Sequence, residues 1–394
     1  MAIDTIGTNA IANDAVNAAK IAAGAVDADI TAIPDGSVST AKIADNAVTG
    51  AKLFAENLGQ LGRRNLIING EMRVDQRGRT VTGSGYTVDR FACGKTNFDQ
   101  LVIAITKDTD NPSGNGFSHS LKLAVTTAET GTLASDELLY LDHRFEGQNL
   151  AHLCYGTSSA KSLTLSFWVK SPLAGKHSVL FYSNNSTRSN LQSYTVSSAN
   201  TWEKKTITIA GDQTGAFAHD NSAQMILFFP LAGGDNFHGT PHTGWGAYSA
   251  TDDFMFSDQV NLAGQTGNFY LTGIQLEVGT VATDFEHRPF AEELQICQRY
   301  YQQTDGIKFF NYGGAGQLHC TYDHPVPMRQ TPTCTYYADQ INLTNRTNPG
   351  NCTKDGVGAV SCSLLSASTT SNAAYVGSGQ GTNHRVTRTM EAEL

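Results

Sequence analysis

The opening of the chain repeats with a period of five. Branched apolar side chains recur at Ile6, Ile11, Val16, Ile21 and Val26, and past an insertion around Pro34-Asp35-Gly36 the series is Ile33, Val38, Ile43, Val48 and Leu53. Near-identical text, AKIAAGAV at 19–26 and AKIADNAV at 41–48, marks the copies. A step of five turns an α-helix by about 500°, so successive anchors drift by roughly 140° and share no face. An odd step also sends alternate anchors to opposite faces of a strand. With one anchor per five small or polar residues, a single chain buries too little to offset an ordering entropy of about 1 to 2 kcal/mol per residue. The segment is therefore expected to order by sharing its anchors among three copies wound about one axis, where Ala and Gly permit close approach. A disordered linker is the competing reading.

Beyond this segment the composition is that of short strands and tight turns: 40% hydrophobic, 16% charged, with 38 glycines in 394 residues. Leu163, Leu165, Phe167 and Val169 alternate with Thr164, Ser166, Trp168 and Lys170, the pattern of a half-buried strand. Lys205–Ile209 and Leu271–Val278 alternate likewise, and no long helical period separates the strands, which argues for antiparallel sheets packed face to face. The one helix expected is Ala291–Gln302, opened by Glu292 and Glu293 after Pro289. Residues 303–394 return to short Thr-, Ser- and Tyr-rich strands, enough for a capping β domain.

Several function classes are disfavoured. The net charge is −9 and no basic cluster is denser than Arg63-Arg64 or Lys204-Lys205, so nucleic acid is not an expected partner. No apolar run approaches the length that spans a bilayer, and the N-terminus lacks the layout of a signal peptide. The 7 cysteines form no C-x-x-C pair, and among the 11 histidines only His238 and His242 are close. Asp252-Asp253 and Glu292-Glu293 are adjacent rather than opposed, and no nucleophile elbow, phosphate loop or dinucleotide fingerprint occurs, so the chain is not expected to be an enzyme.

From Arg64 onward the sequence resembles the sugar-binding-type β domain of phage tail fibres and related tail proteins. The resemblance is carried, in order, by NLIINGEMRVDQRG (65–78), YTVDRF (86–91), LTLSFWVKS (163–171), WEKKTITIAGDQTG (202–215), FYLTGIQLEVG (269–279) and FEHRPFAEELQICQRYYQ (285–302). The repeats of 1–53 resemble those that precede such domains, and PMRQTPT (327–333) is similar to the small domain that often follows. The resemblance implies a jelly-roll sandwich like a carbohydrate-binding module. Related modules often hold a structural calcium at positions matching Asn69, Glu71 and the neighbourhood of Thr272. Here Thr272-Gly273 stands where an acidic residue belongs, so no cofactor is expected.

The resulting expectation is a mainly β homotrimer: a repetitive stalk and virion attachment segment over 1–62, a jelly roll over 63–290, and a connecting helix with a C-terminal β tip over 291–394. It would act in the virion, assembled in the host cytoplasm, meeting other tail or capsid proteins through its N-terminus and a host-surface glycan through the sandwich. A purely structural virion part is the alternative, and a polysaccharide depolymerase a further one. Sugars stack on aromatic faces beside planar polar groups. The ring-rich, glycine-rich stretch around Trp245, with Tyr248, His242 and Phe237 flanked by Asn236 and Asp252, is the expected ligand-binding loop; packing on a neighbouring subunit is its competing role.

Overall fold

The computed structural model describes residues 63–238, 244–249, 254–304, 310–311, 318–330, 332–338, 351–355, 358–365 and 386–394. These belong to the second of two units, 1–58 and 59–394. The apolar anchors from Ile6 to Leu53, and with them the stalk expectation, lie outside the described residues.

The strands, in order, are β1 (Gly85–Tyr86), β2 (Phe91–Thr96), β3 (Val102–Asp108), β4 (Ser120–Thr127), β5 (Leu138–Glu146), β6 (Leu163–Lys170), β7 (Gly175–Ser183), β8 (Arg188–Val196), β9 (Glu203–Ile209), β10 (Ala223–Gly233), β11 (Gly246–Ala247) and β12 (Gly267–Val278). They form a seven-stranded sheet, β1-β2-β5-β10-β7-β8-β11, and a five-stranded sheet, β3-β4-β12-β6-β9. Neighbours within each sheet are antiparallel, for example β10 on β5 and β12 on β6. The protein is thus mainly β, as its alternating segments require. Leu163, Leu165, Phe167 and Val169 of β6 point inward to meet Met225, Leu227, Phe229 and Leu231 of β10 in one continuous core. Phe167 and Phe229 touch edge to face across it, centroids 5.3 Å apart. Each such side chain contributes about 1.5 to 3 kcal/mol by leaving water.

The segment 65–74 closes the sandwich by threading against β12. The Asn65 side chain accepts from Ile67 N at 2.9 Å and Leu276 N at 3.1 Å and donates to the Ile274 carbonyl at 3.1 Å. Ile274 N in turn donates to Gly70 O at 3.0 Å. A Cβ at residue 70 would lie 2.2 Å from the Ile274 carbonyl oxygen, so only glycine fits. Here β12 departs from plain alternation. Its register against β6 shifts between Thr272 and Gln275, and Gly273 adopts φ +59° beneath the Phe117 ring.

The helix α1 (Phe290–Gln298) stops four residues short of the expected Gln302. Tyr301 and Gln302 instead open β13 (Tyr301–Thr304), which pairs with β19 (Val386–Glu391), and a strand conformation cannot continue the helical turn. Before β19 come β14 (Phe310–Asn311), β15 (Leu318–Asp323), β16 (Thr333–Ala338), β17 (Asn351–Asp355) and β18 (Gly358–Leu365). They form a three-stranded sheet, β13-β19-β16, and a four-stranded sheet, β14-β15-β18-β17.

A buried ionic clasp joins the end of the chain to the sandwich. Glu393 pairs with Arg90, which lies 3.6 Å over the Tyr300 ring, and with Arg77 at 3.2 Å, which lies 3.8 Å over Tyr301. Arg144 and the Tyr86 hydroxyl donate to Leu394 O at 2.7 and 2.8 Å. Arg329 donates to the carbonyls of Ala392 and Glu393, each at 2.7 Å, and to that of Asn221 at 3.0 Å. On α1's flank, Arg299 grips Glu146 of β5 with two bonds of 2.9 Å. Removing one partner from such a group leaves a buried charge uncompensated, at a cost of about 3 to 5 kcal/mol. Glu393→Ala leaves the buried Arg90 without a carboxylate, while Arg77 keeps Glu391 at 3.2 Å and Asp89 at 3.7 Å, and should lower the urea-unfolding free energy by about 3 kcal/mol; a loss below about 1 kcal/mol, the level of an exposed pair, would contradict the clasp.

The same cluster sets a pH dependence. Burial pushes the Asp89 carboxyl up to about 6, because Gln76 and Arg77, the latter 3.7 Å away, do not offset desolvation. Between about pH 4, the ordinary carboxyl value, and 6 the folded protein holds a proton that the unfolded chain releases, so Asp89 makes stability fall as pH rises through that window. Asp89→Asn cannot titrate. Its unfolding free energy should gain about 2 to 3 kcal/mol relative to the parent between those limits, and parallel profiles for the two proteins would refute the assignment.

Candidate functional site

The outer side of β10 is as apolar as its inner side, and this determines where the ring-rich loop goes. Ile226 and Phe228 point away from the core and join Leu138, Leu180 and Leu191 in a second cluster on the outer face of the seven-stranded sheet. An exposed patch of this kind requires a cover. The described residues between β10 and β12, 234–238, 244–249 and 254–266, supply it. Phe254 packs 5.1 Å from Phe228, Phe237 lies 6.1 Å from Phe254, and Tyr248 lies 4.6 Å from Tyr182. Backbone bonds fasten this cover to the sheet edge: Tyr248 N donates to Thr187 O and Val260 N to Lys176 O, both at 2.9 Å.

Trp245 sits elsewhere. Its indole N–H donates to Ala210 O at 2.8 Å, its ring meets Tyr155 edge-on at 5.7 Å, and it packs against the main core. Its carbonyl accepts from Arg188 at 3.0 Å, and Arg188 pairs with Asp212 at 2.7 Å. Trp245, Tyr248 and Phe237 are each half-buried, and Asn236 is exposed. Among the expected ligand-binding residues, then, Phe237 and Tyr248 share the outer cluster and Trp245 occupies the neighbouring edge. His242 and Asp252 lie outside the described residues. Sequence reasoning missed Tyr140, Tyr182 and Phe228 of the sheet face. The signal was available, since the unbroken apolar run MILFFPLAG marks a strand covered on both sides.

The positions suggested for calcium are occupied by internal bonds. The Asn69 side chain donates to Val74 O at 2.8 Å and Asp89 O at 2.9 Å and accepts from Val74 N at 2.9 Å. Glu71 contacts His287 Nδ1 at 2.8 Å, and the Thr272 hydroxyl donates to His119 O at 2.7 Å. Among the described residues no group of three or more His, Cys, Asp or Glu is arranged to hold a metal. Of the adjacent carboxylates, Glu293 accepts from Asn69 N while Glu292 pairs with Arg63 at 3.2 Å. The thiol of Cys93 is pushed up to about 12 by burial, and Cys93, Cys154 and Cys297 are free.

No protein-family model and no curated protein sequence matches the chain. Solved structures do. The enzymatically active domain of tailspike protein 4 from bacteriophage CBA120 is 13% identical with a TM-score of 0.33, over 55% of this chain and 21% of that one. The family 11 carbohydrate-binding module from Clostridium thermocellum, solved with a mixed-linked tetrasaccharide, is 14% identical with a TM-score of 0.27, over 49% and 91%. The module TmCBM61, solved with a galactotriose, is 11% identical with a TM-score of 0.28, over 55% and 99%. This chain spans about a fifth of the tailspike domain it matches.

The docking of Trp245 makes a prediction about stability. Trp245→Ala should cost about 2 kcal/mol, below the 3 to 5 of a fully buried ring. Trp245→Phe keeps the edge contact with Tyr155 and should cost about 1 kcal/mol for the lost hydrogen bond. Thermal unfolding of both variants checks the order; equal, negligible losses would show that the ring does not hold the loop.

Proposed function

We propose that this chain is a virion attachment protein that binds a surface glycan through its sandwich. In this reading three copies join through residues 1–62, which also meet tail or capsid proteins, and the assembly works by binding rather than by catalysis. The observation that carries the reading is the set of half-buried rings Phe237, Trp245 and Tyr248. Each is fixed on one side by packing and keeps part of its surface exposed, and exposed Asn236 and Gly244 precede Phe237 and Trp245 in the chain. Rings held in this way lose little entropy when a pyranose stacks on them, and three copies raise a weak single-site affinity by avidity, on the order of 100-fold.

A second reading, a structural virion component without a receptor, is favoured by the indole N–H of Trp245, which is satisfied inside the chain. The two separate on an array of bacterial polysaccharides probed with the full-length protein. Retention on one glycan, weakened at least tenfold by the Asn236→Ala/Trp245→Ala pair in a protein that still unfolds cooperatively, supports attachment through the loop. Retention on none supports the structural component, and release of shortened chains from the array would show a depolymerase instead.

A further inference from the structure

The two outer faces of the sandwich differ. One is covered by Phe237, Tyr248 and Phe254 of the insertion between β10 and β12. On the five-stranded sheet, Thr283 and Glu286 hydrogen-bond Glu277 and Gln275, covering one half of β12. The half around Tyr270 carries a different group of side chains. Pairing sets Lys122, Tyr270 and Lys170 in one cross-strand row and Thr272, Trp168 and Lys204 in the next. Trp202, one residue before β9, extends the first row: its ring centroid is 5.9 Å from that of Tyr270, planes inclined by 53°. Lys170 Nζ lies 4.7 Å from the Tyr270 centroid and 5.9 Å from that of Trp202, and Lys122 Nζ lies 5.9 Å from Tyr270.

Two carboxylates fix this arrangement. Asp110 accepts from the Trp202 indole N–H at 2.9 Å and pairs with Lys170, while Asp108 pairs with Lys122 at 3.2 Å. Burial pushes the Asp110 carboxyl upward, but the bonds from Lys170 and Trp202 outweigh it and hold it below the ordinary carboxylate value. Trp168 and Trp202 are half-buried, Lys204 is exposed, and Lys204 has no ion pair among the described residues.

We propose that Trp168 and Trp202, set around the buried Tyr270, with Lys122, Lys170, Asp108 and Asp110, form a second contact surface for a neutral pyranose polysaccharide. This rests on the glycan-binding reading but uses neither the insertion nor its rings. The aromatic faces take the C–H side of a sugar ring. Each ammonium has three donors and spends one on its carboxylate, leaving others for sugar hydroxyls, and the carboxylates accept from hydroxyl donors. The two lysines beside the rings balance the two aspartates, and Lys204 lies apart on the edge strand β9, so the rings themselves suit an uncharged ligand. A protein partner fits less well, because interface centres are depleted of charge and here the charges stand between the rings. Neighbours within a row stand one strand apart, about 4.8 Å, and the two rows lie two residues apart along the strands, about 6.6 Å, which gives a strip rather than a pit, the shape of a linear chain.

The test uses the full-length protein and soluble neutral polysaccharides, a β-glucan, a β-galactan and a mannan, followed by tryptophan fluorescence and calorimetry. Parent protein should bind one of them, and Trp202→Ala or Trp168→Ala should weaken binding at least tenfold, with Trp245→Ala as the comparison for the insertion. Should Trp202→Ala misfold, Trp168→Ala and Lys170→Gln carry the test, since neither removes the bond between Trp202 and Asp110. Full binding by folded platform variants, with loss only in Trp245→Ala, would overturn this inference and leave the attachment reading standing. No binding by the parent to any polysaccharide would overturn both. A fall in molar mass by light scattering in Trp168→Ala or Trp202→Ala would show an interface between copies and also overturn it.

Discussion

The fold depends on two guanidinium groups that cannot be left alone. Arg77 and Arg90 are buried at the edge of the seven-stranded sheet, where an unpaired charge would neither desolvate cheaply nor, for arginine, lose its proton. Glu393 reaches both, Arg77 also meeting Glu391 and Asp89, and Tyr300 and Tyr301 lay their ring faces against them. Because those tyrosines follow α1 directly, the clasp dictates where the helix must end and where β13 begins. It also draws 389–394 and Arg329 onto the sandwich, so that these residues share its body.

How much of this was legible in the sequence differs from element to element. Leu163–Lys170 alternates so cleanly that strand and inward face follow at once, and β6 has those bounds. The β12 alternation was visible but its shift at Thr272–Gly273 was not, because a bulge is set by what crosses it, here Gly70 and the Phe117 ring. The helix was overextended because Tyr300 and Tyr301 fit a helical stripe as well as they fit the ring contacts they make. The clasp itself was beyond reach: Arg90 and Glu393 are 303 residues apart, and nothing local marks either as buried.

The candidate site was legible in kind and not in arrangement. The loop's rings could be read as a cluster because they are close in sequence, yet two of them cover Phe228 and its neighbours while Trp245 follows an acceptor at Ala210. A loop residue's neighbours are chosen by the sheet beneath it, and a two-sided apolar strand such as β10 recruits whatever apolar side chains the insertion offers. On the opposite sheet, nothing in the sequence separates Trp168 and Trp202 from ordinary strand tryptophans. Only the register of β6, β9 and β12 shows that they stand on one outer face with lysines between them. Both faces owe their fixed geometry to the same clasped body, which is what a surface for weak stacking contacts requires.

Native-state hydrogen exchange reports whether the C-terminal residues and the sandwich form one body. The amides of Ala392 and Arg329, bonded to Tyr300 O at 2.7 Å and Arg299 O at 2.8 Å, should open with the same free energy as the amide of Leu227 in the middle of β10, within about 1 kcal/mol. Exchange of the first two through a separate opening several kcal/mol cheaper would mean that the C-terminal residues rest on the sandwich without holding it, and would contradict the account.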